Sequence, residues 1–445
     1  MTANAQRWGI VGGGMLGMTL AHRLAQAGHD VTLIEAAPQL GGLASAWNLG
    51  DVVWDRHYHV TLLSDSFLRG LLGELGLESE MRWVTTRTGF YCDGRLHSMS
   101  NSLEFLRFPP LNLVDKARLA ATILYASRVT DWRRLEQLPV AEWLGRLSGP
   151  RTLERIWLPL LRSKLGDNYK KTSAAFIWAT IQRLYAARRS GLKQELFGYV
   201  PGGYARILDR FGQRLREERV AILLGRPTRA VTRHATGVSV ETEDGQRHGF
   251  DQVVLTVPAS LAARLCGDLA PEERERLNGI EYQGILCASV LLDRPLAGFY
   301  VTNITEPWVP FTGVIEMSAL VDRDQFRGHH LVYLPKYLDP ADPAFERSDE
   351  AIREEFLAAL ARMYPGFHAG QVVCFKVSRV RQVFALPTLG YSSRLPAMST
   401  SLPGVHIVNS AHILNGTLNV NETLQLAESA ARRLQALPAP ARAAA

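Results

Sequence analysis

Only four cysteines are spread over the 445 residues (Cys92, Cys266, Cys287 and Cys374), with no CxxC pair and no metal-ligand spacing. That excludes a cysteine-built metal centre, so no metal site is expected, and the scatter fits a chain kept reduced in the cytoplasm. No uninterrupted apolar run approaches the ~20 residues of a membrane-spanning helix. A signal peptide is not expected either, because the first apolar run reads as an internal strand. Acidic residues are in deficit, 43 against 50 basic ones, for a net charge of +7. The excess is local: residues 101–198 hold 17 basic and 8 acidic side chains, +9, which leaves the remainder at −2. A basic segment rich in Leu and Trp fits a solvated helical surface, an anionic substrate, or peripheral contact with an anionic membrane. Nucleic acid is set aside, since no recognised binding motif accompanies the charge. The 47% hydrophobic content is enough for two packed domains.

What the chain does have is concentrated near its start. Arg7-Trp8-Gly9-Ile10-Val11 is a short run with strand character, and Gly12-Gly13-Gly14-Met15-Leu16-Gly17 follows at once. Met18 to Ala27 then reads as a helix with Leu20, Leu24 and Ala27 on one face. After Gly28, Val31 to Ile34 form a second strand closed by Glu35. Strand, glycine turn, helix, strand and acid make up a dinucleotide-binding fingerprint in its full context. Gly12 permits the turn, Gly14 lets a pyrophosphate approach the backbone, and Gly17 lets the helix pack close. The N–H groups of the first helical turn, Met15 and Leu16 among them, face the phosphates. Glu35, 18 residues after Gly17, is placed to accept from ribose hydroxyls.

Just past the acid, Ala36-Ala37-Pro38-Gln39-Leu40-Gly41-Gly42-Leu43-Ala44 adds a second glycine pair. With it the chain resembles the superfamily of flavin-containing amine oxidases, protoporphyrinogen oxidases, phytoene-type desaturases and UDP-galactopyranose mutases. The resemblance implies an α/β fold: a Rossmann-type FAD-binding domain interleaved with an α+β substrate domain. The FAD-binding domain would comprise residues 1–90, 199–262 and 396–435. A helical insert would span 91–198, a substrate-domain sheet 263–395 and a mobile tail 436–445. The implied cofactor is non-covalent FAD, because the C-terminal segment has no cysteine for attachment. Ala36 and Gly41 to Ala44 would lie along its pyrophosphate and ribityl chain. Many relatives carry Arg after the glycines. Leu43 stands there in this chain, which suits the desaturase, mutase and protoporphyrinogen-oxidase-like branches.

The resemblance implies further contacts along the chain. The segment Asp51 to Val60 would cross near the flavin ring, bringing Tyr58 to it. His57 and His59 there are the candidates to donate to the flavin or carry a substrate proton near neutral pH. The backbone at Thr228 would meet the adenine, and Thr256 to Pro258 would end the strand that returns the chain to the substrate domain. Ser410 closes the last strand, with Ala411 where relatives have an acid. Asn419 and Val420 would sit at the amino end of the final helix, facing the flavin pyrimidine. Trp157, Trp178 and Tyr185 are candidates to line a substrate tunnel, with core packing the commoner role. Tyr333, Lys336 and Tyr337 are polar groups among apolar neighbours.

Absences separate the chemistries. Ala288 stands where amine oxidases place a lysine, and Asn419 where they place an aromatic cage residue, so amine oxidation by oxygen is disfavoured. A single GxGxxG argues against a second nucleotide domain. Three readings remain. The first is an FAD-dependent dehydrogenase or desaturase that moves hydride from a substrate C–H to flavin N5, the substrate being lipophilic or anionic. The second is a non-redox isomerase of the mutase kind, although Asn415 to Asn421 lacks the arginine of that branch. The third is a flavoprotein scaffold without a substrate.

Overall fold

The computed structural model describes residues 5–188, 196–414 and 416–437. Its organising layer is a five-stranded all-parallel sheet. The strand order is Ala221–Leu223, β2 (Asp30–Ile34), β1 (Arg7–Val11), Gln252–Leu255, Val405–Ile407. These are short, almost wholly apolar runs, the composition that a parallel sheet covered on both faces requires. In β1, Trp8 and Ile10 face one layer and Val11 the other. The first layer contains α1 (Met15–Gln26), the helix Gly203–Glu217 and the final helix Val420–Gln435. The second contains the antiparallel meander Thr228–His234, Gly237–Thr242, Arg247–Phe250. Gly9 allows the meander to lie close, for a Cβ there would meet the Phe250 ring at 2.6 Å.

The other large sheet has seven strands. Its order is Val372–Ala385, Tyr282–Leu292, His330–Leu338, Gly313–Glu316, Val301–Ile304, Thr88–Cys92, Arg95–Ser98. Thr88–Cys92 pairs in parallel with Val301–Ile304, so a boundary at residue 90 would cut through a strand. Phe90 and Tyr91, pointing to opposite faces, are both buried, and each needs a layer that only this sheet supplies. Val372–Ala385, the longest strand, has no apolar alternation to announce it. It pairs along the fully buried Tyr282–Leu292 while exposing much of its own length. The strand Gly313–Glu316 is short and wholly buried. The buried Glu316 carboxylate accepts from the N–H groups of Leu296, Ala297 and Gly298 at 3.0, 3.2 and 2.8 Å, which holds that loop against the strand's end.

The intervening segment is helical and packs around a core of its own. Trp157 and Trp178 belong to that core: their indole N–H groups donate to Ser148 Oγ and to the Val129 carbonyl, each at 3.0 Å. They do not line a tunnel. The side chain of Tyr185, and the tail from residue 438, lie outside the described residues. The helical stretch that begins at Pro150 is interrupted by a π turn at Leu153–Trp157 before it continues as Leu158–Leu165. Pro159 explains the break, since it has no N–H to give to the carbonyl four residues earlier.

Candidate functional site

The fingerprint loop and the second glycine pair are brought face to face. The Gly41 N–H donates to the Gly13 carbonyl at 2.8 Å, and Gly14 and Gly41 form an isolated parallel bridge. Gly12 and Gly41 adopt φ of +113° and +118°, which glycine alone takes without strain. Gly17 is required for a different reason: a Cβ there would strike the Gly12 carbonyl oxygen. Beneath the turn, the Thr256 hydroxyl lies 3.1 Å from the Val11 carbonyl and 3.0 Å from that of Gly12. The space above Gly14 is open, with only Gly42 Cα near a built Cβ, at 3.9 Å. α1 has no side-chain cap and no acid in its first turn. Its first N–H groups are therefore free to take an anion. Met15, Leu16 and Ala44 point into the core and offer backbone only.

The ends of this cradle are also defined. Glu35 accepts the Gly13 N–H at 2.5 Å and the Ala37 N–H at 2.8 Å, so one carboxylate ties the loop to the end of β2. The Arg226 N–H donates to the Glu35 carbonyl at 2.9 Å, which brings the start of the Thr228 strand beside Glu35 and the exposed Ala36. Pro258 is the N-cap of the helix Ala259–Leu265. Ser410 begins a 3-10 turn, and Ala411 after it is buried, its carbonyl accepting from the Tyr391 hydroxyl at 2.8 Å. Asn419 caps the final helix, its side chain accepting the Glu422 N–H at 3.0 Å, with Val420 as the first helical residue. Glu422 itself is held above the ordinary carboxyl range by burial.

The structure sends the two candidate histidines in different directions. His57 Nδ1 lies 3.1 Å from the Leu43 carbonyl, which can only accept, so Nδ1 carries the proton. Nε2 then accepts from the Ser378 hydroxyl at 3.2 Å. Burial pushes His57 down to about 4, leaving a neutral ring that ties the second glycine loop to the longest strand. His59 packs on the Tyr204 ring at a centroid separation of 4.6 Å, with Nδ1 3.7 Å from the buried Asp55.

Between them in the chain, Tyr58 packs against the Tyr333 ring at a centroid separation of 6.2 Å. Its hydroxyl lies 3.0 Å from that of Tyr337, while the Tyr333 hydroxyl donates to the Asp55 carbonyl at 2.5 Å. Lys336 faces Glu355 at 4.0 Å instead. Lys164 Nζ lies 5.5 Å from the Tyr337 ring centroid and 5.8 Å from that of Phe176. No carboxylate among the described residues pairs with it. Lys164, Tyr58 and Tyr337 are each half-buried. Burial, and then the nearby Arg183 guanidinium, lower the Lys164 ammonium below the usual lysine range. Burial pushes Tyr337 up to about 12, so it stays protonated. Arg183 is held by Asp65 at 3.1 Å. Sequence reasoning missed Lys164. Its signal is a lysine three residues after Leu161 and next to Leu165, both buried, which puts it on an apolar helix face.

A parallel sheet with a glycine-lined anion cradle at its switch point, extended by a second glycine pair, defines a dinucleotide-binding flavoprotein fold. Residues 16–435 match the family described as flavin containing amine oxidoreductase, and the chain belongs to that family: it is an FAD-dependent oxidoreductase. It is 24% identical to a zeta-carotene desaturase from Synechocystis sp., across 91% of this chain and 92% of that one. It is 26% identical to a carotenoid phi-ring synthase from Streptomyces griseus, across 91% and 83%. Among solved structures, a putative protoporphyrinogen oxidase from Exiguobacterium sp. 255-15 superposes with a TM-score of 0.76 at 19% identity, covering 97% and 99% of the two chains. A reduced UDP-galactopyranose mutase gives 0.74 at 14% identity, covering 97% and 94%. These likenesses share the fold. No described helix is long and apolar enough to cross a membrane.

Proposed function

We propose that the chain dehydrogenates a lipophilic substrate that carries an anionic group, in the manner of the desaturase and protoporphyrinogen-oxidase-like branches, using FAD held without a covalent bond. The observation that carries this reading is Lys164: a cation with no acidic partner among the described residues, set beside Phe176 and Tyr337, whose hydroxyl meets that of Tyr58. A half-buried ammonium among aromatic rings is favoured when a ligand supplies the counter-charge. The apolar body of such a ligand fits the aromatic wall, and the names of the carotenoid relatives favour an isoprenoid or polycyclic frame.

The residues present fit the dinucleotide. Gly12, Gly14, Met15, Leu16 and Gly17 would hold the diphosphate through backbone N–H groups, with Gly41, Gly42, Leu43 and Ala44 opposite and Ser410 at the ribityl side. Glu35 and Ala36 would meet the ribose, and Thr228 the adenine. Thr256 and Pro258 would keep the turn and the returning strand in place. Tyr58, Asn419 and Val420 would flank the ring system. Bound FAD supplies the acceptor for a hydride leaving a substrate carbon. The chain's own part is to anchor the substrate anion at Lys164, exclude water with the aromatic wall and fix the reacting carbon. His57, engaged at both nitrogens, acts as a positioning residue that sets the Leu43 carbonyl.

Anaerobic bleaching of the flavin tests this against porphyrinogens, polyprenoid hydrocarbons and polyprenoid carboxylic acids, with UDP-sugars tried before and after dithionite. Bleaching by a lipophilic acid is expected, and Lys164→Met should raise its half-saturating concentration about tenfold or more. Turnover of a UDP-sugar only after prior reduction would replace this reading with the isomerase one. A flavin that dithionite reduces fully but that no donor in the panel bleaches would favour the scaffold.

A further inference from the structure

Asn419 is the N-cap of the final helix and Glu422 its third residue, the spacing of a capping box. Half of the box forms: the Asn419 side chain accepts the Glu422 N–H at 3.0 Å. The other half does not, for among the described contacts the Glu422 carboxylate does not return to the Asn419 N–H. It lies instead over the backbone of Gly416, where a built Cβ would meet Glu422 Oε2 at 2.8 Å. The helical turn that carries it is fixed, because Asn421 accepts the N–H groups of Phe67 and Leu68 at 3.0 and 3.2 Å.

The surroundings leave this carboxyl unanswered. Burial comes first and raises it: Glu422 is half-buried, and desolvation disfavours the ionised form. Arg183, from the helix Ala174–Arg188, acts the other way, but its guanidinium is already held at 3.1 Å by the buried Asp65. Asp65, just ahead of the helix Ser66–Glu74, also accepts the Leu62 N–H at 2.8 Å, and its charge raises Glu422 again. The Asn421 side chain, next to Glu422, favours the ionised form. Of the charged groups that face one another here, one is a cation and two are acids, and Glu422 is the acid left over. A further negative charge arriving beside it would push the carboxyl toward its neutral form.

We propose that Glu422 takes up a proton when the bound FAD is reduced. The inference rests on the proposed placement of Asn419 and Val420 beside the flavin ring and is independent of the substrate. Two electrons and one proton convert FAD to its anionic reduced form. That charge arises beside an ionised carboxylate on a helical turn that Asn421 holds in place. A second proton, on Glu422, removes the repulsion. The count balances in a dehydrogenation: the substrate gives a hydride to the flavin from one carbon and a proton from its neighbour, and the Glu422 carboxylate takes one proton.

The test is anaerobic reduction of the FAD-loaded protein by dithionite, with redox dyes, over a range of pH. The slope of midpoint potential against pH counts the protons taken up per electron pair. The range in which about two are taken up should reach at least about one pH unit further into alkali in wild type than in Glu422→Gln, a tenfold difference in proton affinity. The reduced-minus-oxidised infrared spectrum should gain a protonated-carboxyl band in wild type, shifted in Glu422→Asp and missing in Glu422→Gln. Identical proton counts in wild type and Glu422→Gln, or no such band in flavin-loaded wild type, would overturn the proposal. Should Glu422→Gln fail to hold FAD, the wild-type band and its shift in Glu422→Asp decide by themselves. Wild-type protein that binds no FAD would overturn the cofactor placement instead.

Discussion

At Gly14 and Gly17 the same residue type answers two different demands, and substitution separates them. Gly17→Ala drives a methyl into the Gly12 carbonyl, a backbone clash that should cost about 2–4 kcal/mol and lower the urea midpoint with or without flavin. At Gly14 a Cβ meets nothing closer than 3.9 Å, so the first atom of a Gly14→Val side chain has room. The protein should fold as before and lose most of its FAD, measured as absorbance of bound flavin per chain after gel filtration. A Gly14→Val protein that keeps its flavin would contradict the diphosphate position.

Two buried histidines give a pH signature at the same scale. Burial lowers both His57 and His406 to about 4 from 6.5. A base whose folded value is depressed stabilises the fold above its unfolded value and loses that contribution as pH falls from 6.5 through 4. Each contributes at most roughly 3 kcal/mol. His406 is the more exacting case: Nε2 lies 2.9 Å from Gln252 Oε1, and Nδ1 has no partner to receive a second proton. Urea midpoints should therefore fall between pH 6.5 and pH 4, and the fall should be shallower in His57→Gln combined with His406→Gln.

The elements are joined by side chains that sequence spacing does not pair. α1 carries His22 and Arg23 at its core-facing end. His22, fully buried, lies 2.6 Å from Glu218 and 2.9 Å from Glu74. Arg23 bridges Glu74 and Glu428, each at 2.6 Å. One turn of α1 thereby fastens the helices Ser66–Glu74, Gly203–Glu217 and Val420–Gln435. The Arg23 guanidinium and His22 hold Glu74 down to about 2. That carboxylate is more than a third exposed, so the worth of the pair is discounted for screening. Arg23→Met should cost about 1–2 kcal/mol, with the loss smaller in high salt and flavin content per folded chain unchanged.

For the whole molecule the decisive expectation is linkage. The diphosphate cradle draws on β1, α1, the second glycine pair and Thr256, so FAD binds the folded chain and not the unfolded one. Flavin at about a hundred times its Kd should add about 2.7 kcal/mol, seen as a rise in melting temperature of a few degrees that AMP alone does not match. Trichloroacetic acid should release all the yellow colour into the supernatant. Colour left in the pellet would contradict non-covalent attachment.

What the sequence by itself determined lies within short spans of chain. Strand, glycine turn, helix and Glu35 are neighbours, so backbone sterics and dipole geometry define the cradle before any tertiary contact forms. The same holds for the helix Asp349–Met363, whose bounds follow from its spacing and from the Ser348 cap. Tertiary structure decided everything that rests on distant partners. It turned His57 from a free titrating base into a locked neutral bridge, because Ser378 and the Leu43 carbonyl close on its two nitrogens. It made a strand of Val372–Ala385, which no alternation announces and which is fixed by pairing along the buried Tyr282–Leu292. It also set Lys164 against Tyr337, with no counter-charge among the described residues. Burial and pairing are properties of the assembled layers, and spacing along one chain cannot hold them.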